Sequence, residues 1–61
     1  MMKVNRIWRV QPVRQGMKAP YHFVYTTDKK FWQAEKNAKK EINQNCWLVK
    51  LGWNYDLTLV Y

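Results

Sequence analysis

Residues 26–42 read TTDKKFWQAEKNAKKEI, and the spacing of the apolar members of this stretch predicts the central element of the fold. Four of these members recur at the spacing of one helix face: Phe31, Ala34, Ala38 and Ile42. The preceding threonines and Asp28 carry side-chain oxygens of the kind that cap the start of a helix. The stretch therefore predicts a helix from Thr27 to Ile42 that packs through this apolar stripe.

The residues before the helix indicate two strands. The segment from Val4 to Val13 is rich in β-branched residues and contains Pro12, which is typical of an edge strand or of a strand end. Turn-forming residues between Gln15 and Pro20 predict a loose hairpin loop. The second strand follows, with Tyr21, Phe23 and Tyr25 on one face and His22, Val24 and Thr26 on the other.

The residues after the helix alternate again between apolar and other side chains. This alternation predicts a strand from Cys46 to Leu51 and a last strand from Tyr55 to Tyr61. Gly52 either separates two strands or forms a bulge within one. The expected fold class is α+β, a small antiparallel sheet with one helix packed on one face, in the order ββαββ or ββαβ.

The size and composition of the chain indicate one folded domain spanning residues 1–61. Apolar types make up 48% of the residues, which is ordinary for a globular protein. The ten aromatic residues, four Trp, four Tyr and two Phe, are expected mostly in the core of so small a protein. The chain has no run of about 18 apolar residues and no secretion signal, and it has a single cysteine. A cytoplasmic protein without membrane insertion is therefore expected.

The net charge of +7 indicates an anionic partner. Eleven Lys and Arg stand against four acidic residues, and residues 1–27 contain no acid at all. DNA or RNA is one candidate partner, and an acidic protein surface is another. The sequence contains few candidate catalytic residues, because it has one histidine, His22, and one cysteine, Cys46. We therefore expect no catalytic residues, no metal site and no cofactor.

A basic surface is the strongest functional signal. On a helical wheel Lys29, Lys36 and Lys40 lie opposite the apolar stripe, with Lys39 and Trp32 beside them. Lys36 and Lys40 form an unfavourable like-charge pair, and broken local rules are expected at functional sites. Trp32 is either exposed or at the rim of the sheet. The predicted binding residues add three strand arginines to this surface: Arg6, Arg9, Arg14, Lys29, Trp32, Lys36, Lys39 and Lys40.

Two strands, a helix entered at Thr26, Thr27 and Asp28, and one or two final strands give a plan that resembles small bacteriophage accessory proteins. These include inhibitors of host RNA polymerase and anti-CRISPR proteins. The resemblance implies a stoichiometric inhibitor that docks on an acidic or nucleic-acid-binding surface of a larger host complex. The residues themselves favour a non-enzymatic nucleic-acid-binding module, with the inhibitor as the alternative.

Overall fold

A computed structural model describes residues 4–61 of the chain. It confirms the α+β class: an antiparallel sheet of four strands with one main helix and a second, short one. The elements in chain order are β1 (Arg6–Arg14), β2 (Met17–Lys18), β3 (His22–Thr26), α1 (Phe31–Asn45), α2 (Trp47–Lys50) and β4 (Asn54–Leu59).

Strand β1 is the centre of the sheet. Its first half pairs with β3, which sets Trp8 opposite Val24. Its second half pairs on the same side with the short β2, and its other edge pairs with β4, which sets Trp8 opposite Leu59. All three pairings are antiparallel. Because both edges of β1 are occupied, every other strand takes its position from this one.

A two-residue turn joins β1 to β2. Gln15 and Gly16 both have positive φ, 48° and 82°, which is the geometry that hairpins use to follow the twist of the strands. The turn is tighter than the loop predicted from Gln15 to Pro20. Pro20, which has no backbone N–H, lies instead in the break between β2 and β3.

The core lies between the sheet and α1. The sheet contributes Trp8, Val10, Pro12 and Val24, all buried, and α1 contributes three of the four residues of its predicted stripe: Ala34, Ala38 and Ile42. The Trp8 indole N–H donates a 2.9 Å hydrogen bond to the Thr26 hydroxyl, so the one polar atom of this ring is satisfied. Phe31 remains about half exposed, but its ring lies 5.6 Å from the Trp8 ring.

Helix α1 begins later than predicted, because its expected capping residues have other roles. The N-cap residue is Lys30, and it makes no side-chain capping hydrogen bond. Thr26 still belongs to β3, and its hydroxyl accepts from Trp8. The Asp28 carboxylate accepts a 2.9 Å hydrogen bond from the side-chain amide of Asn37. The prediction that these residues cap the helix is therefore wrong.

The strand predicted from Cys46 to Leu51 is also wrong, since this segment contains the helical turn α2. Gly52, with a φ of 105°, ends the turn, and its N–H donates to the carbonyl of Val49. Val49 packs against the core, whereas Trp47, expected in the sheet, is 68% exposed. Local backbone hydrogen bonds form this turn, from the N–H of Lys50 to the carbonyl of Cys46 and from the N–H of Leu51 to the carbonyl of Trp47.

Candidate functional site

Five of the eight predicted binding residues lie on two surfaces that face away from each other, and Arg6, Arg14 and Lys29 lie outside both. Lys36, Lys39 and Lys40 are exposed on α1, on the side opposite the buried stripe. Arg9 projects from the other side of the sheet, because its neighbours Trp8 and Val10 are buried beneath the helix and side chains alternate along a strand. The structure therefore does not assemble the predicted residues into one site.

The first surface, which we call the lysine face, consists of Trp32, Lys36, Lys39 and Lys40. Trp32 is 60% exposed, so it lies in solvent beside the lysines and not at the sheet rim. No side-chain hydrogen bond formed within residues 4–61 involves a lysine ammonium group. Lys29 is also exposed, but it lies in the loop that precedes α1. The lysine face thus presents three ammonium groups that make no side-chain hydrogen bond within residues 4–61.

Contacts within the protein hold the Arg6 side chain in place. Its guanidinium donates hydrogen bonds of 2.8 Å to the carbonyl of Asp28 and 3.3 Å to the carbonyl of Lys29. It also lies 5.6 Å from the centre of the Phe31 ring. These contacts tie β1 to the loop before α1, which gives Arg6 a structural role. Arg14, by contrast, is exposed at the hairpin end of β1.

The second surface is the side of the sheet that α1 does not cover, and we call it the aromatic face. A shallow cleft of about 400 Å³ lies on it, with Arg9 as its charged member. The remaining lining residues are Ile7, Tyr21, Phe23, Tyr25, Val60 and Tyr61. The four rings are substantially exposed, from 44% for Phe23 to 77% for Tyr61. Among residues 4–61, Trp8 is the one buried aromatic, so the expectation that most of the aromatic residues lie in the core is wrong.

Contacts between neighbouring side chains organise the aromatic face. The Tyr21 and Phe23 rings are 5.6 Å apart in an edge-to-face arrangement, and the Arg9 guanidinium lies 5.5 Å from the centre of the Tyr21 ring. Strand pairing adds Lys18 and Asp56 to the same side of the sheet, at the far end from Tyr25. The site residues missed by the sequence interpretation are therefore Tyr21, Phe23, Tyr25 and Tyr61.

A smaller cleft of about 290 Å³ brings His22, Glu41 and Cys46 to one place. None of the side-chain hydrogen bonds in the described part of the chain joins two of these three side chains. Residues 4–61 contain no cluster of three or more His, Cys, Asp or Glu that could hold a metal ion. Within the same residues, no helix has the length and apolar character needed to cross a membrane.

No family model matches the chain, and no curated protein or solved structure is significantly similar to it.

Proposed function

We propose that this chain is a non-enzymatic nucleic-acid-binding module of the cytoplasm. The observation that carries the proposal is the aromatic face, on which Arg9 lies among exposed rings in a chain of net charge +7. Exposed aromatics beside cations provide stacking for bases and neutralisation for phosphates, the two interactions that nucleic-acid binding combines.

The lysine face supplies a second, purely electrostatic contribution to the proposed function. Lys36, Lys39 and Lys40 are exposed cations on one side of α1, and Trp32 lies beside them. Lysines that contact phosphates release condensed counterions from the nucleic acid, which makes binding stronger at low salt and independent of base sequence. A chain with this surface should therefore bind DNA and RNA of many sequences.

A titration of labelled random DNA and RNA at several salt concentrations tests the proposal. We expect the logarithm of the association constant to fall linearly with the logarithm of the salt concentration. Replacing Lys36→Ala together with Lys40→Ala should reduce the slope by about two, since each phosphate-contacting lysine accounts for about one. Lys50→Ala removes a cation from α2 instead, and it should change the slope by less than Lys36→Ala alone.

Weak binding would contradict the proposal. If the dissociation constants at physiological salt exceed about 10⁻⁴ M, binding is weaker than ordinary non-specific binding to nucleic acid. An acidic protein would then be the partner to seek, as expected for an inhibitor of a larger host complex.

A further inference from the structure

We infer that the aromatic face binds the unpaired bases of a single-stranded nucleic acid by stacking, and that Lys36, Lys39 and Lys40 of the lysine face contact its phosphates. The inference rests on the proposed function and assigns different parts of the ligand to the two surfaces. Its first support is the placement of the rings. Phe23 and Tyr25 are two residues apart on β3 and project to the same side, which separates them by about 6.6 Å along the strand.

Such a row of rings suits bases that are already separated from one another. Tyr21 immediately precedes β3, and Phe23 and Tyr25 lie within it. The three rings therefore follow one another along one side of the open cleft. Bases in a duplex are stacked on their neighbours and expose only their edges in the grooves. Bringing their faces onto this sheet would require unstacking, which costs a few kcal/mol per step. An unpaired strand avoids this cost, so the face should discriminate against duplex.

Arg9 lies where it can hold the sugar-phosphate backbone of the nucleic acid beside the rings. Strand pairing sets Arg9 directly opposite Phe23, and its guanidinium lies over the Tyr21 ring. A guanidinium held against a ring keeps its outward N–H groups available for phosphate oxygens. Because the contact with Tyr21 already restricts the side chain, less conformational entropy is lost when the ligand binds.

Charge favours an anionic partner over a neutral or basic one at this cleft, and the row of exposed rings favours bases as the groups that bind beside it. Arg9 is the charged residue of the cleft lining, and Lys18 offsets Asp56 further along the same side of the sheet. The cations around the cleft therefore outnumber the acids where the rings are most exposed. Stacking on these rings would also be tolerant of base identity, because every base has an aromatic face.

The test compares a labelled 12-nucleotide single strand, as DNA and as RNA, with the duplex of the same sequence, using the full chain. The decisive variant combines Phe23→Leu with Tyr25→Leu, which removes two rings without changing charge. Both positions are exposed, so the variant should remain folded, and circular dichroism and a thermal melt verify this. Trp47→Leu is the control, because it removes an exposed ring from α2, outside the aromatic face.

We expect the double variant to bind the single strand at least tenfold more weakly, with an unchanged salt slope, and to bind duplex within about threefold of the original chain. Trp47→Leu should bind like the original chain. The relative affinities for DNA and RNA show which single strand the cleft accepts.

Two results would overturn the inference in distinguishable ways. If the original chain binds nucleic acid but the double variant loses no affinity for the single strand, the aromatic face does not contact bases. The proposed function then survives. If the original chain binds neither single strand nor duplex, the proposed function fails as well, and the exposed rings would then belong to a protein interface.

Discussion

The two sides of the sheet use the same strands in opposite ways. On the side that α1 covers, β1 and β3 contribute Trp8, Val10 and Val24, and all three are buried. On the open side the same strands contribute Arg9, Phe23 and Tyr25, all exposed. Most of the large rings are therefore outside, which is the reverse of what burial of apolar area alone would favour.

The composition of α1 explains this distribution. The helix meets the sheet through Ala34 and Ala38, which are fully buried, and through Ile42. Because two of the three buried helix residues are alanines, α1 itself contributes little side-chain volume, and Trp8 supplies the large buried ring of the covered side. The covered side thus provides stability, while the open side remains available for a ligand.

The largest expected effect is a difference in the free energy of unfolding between substitutions on the two sides of the sheet. Ile42→Ala should lower the free energy of unfolding by about 2 to 4 kcal/mol, because it leaves a cavity in a core of very few residues. Tyr25→Leu, on the open side, should change it by no more than about 0.5 kcal/mol. Denaturant titrations of both variants measure the difference. Equal losses would mean that both sides of the sheet support the fold.

A pair of arginine variants sharpens the same comparison. Arg6→Gln should lower the free energy of unfolding by about 1 kcal/mol, because its hydrogen bonds to the carbonyls of Asp28 and Lys29 are weakened. Arg9→Gln should leave stability nearly unchanged and lower the salt slope of single-strand binding by about one. Melting curves and salt titrations on both variants check this. The division into structural and binding arginines would be wrong if Arg6→Gln weakened binding and Arg9→Gln did not.

The smallest effects are expected at the cleft that holds His22 and Cys46. His22→Ala and Cys46→Ser should leave nucleic-acid affinity within about twofold of the original chain, because neither residue lies on the aromatic or the lysine face. Titrations of labelled DNA and RNA measure the affinity of each variant. Loss of a biological effect in either variant, with folding and binding retained, would point to chemistry at this cleft.

Local patterns were sufficient to predict much of the fold and one of the two surfaces. Helical periodicity identified the buried stripe of Ala34, Ala38 and Ile42, and the same periodicity placed Lys36 and Lys40 opposite it. Period-two alternation also grouped Tyr21, Phe23 and Tyr25 on one side of β3. These results need only the geometry of a single element, which the order of residues along the chain specifies directly.

Three features depended on contacts between distant residues. Alternation could not say which side of β3 would meet the helix, because both sides carry apolar groups, and only the assembled fold buries Val24 and Thr26. The segment 46–51 alternates like a strand but forms α2, which packs Val49 against the core. Arg6 resembles Arg9 in sequence, yet only Arg6 reaches the carbonyls of Asp28 and Lys29, more than 20 residues further along the chain. Each outcome depends on competition for space or for hydrogen-bond partners across the whole molecule, and local periodicity contains no information about that competition.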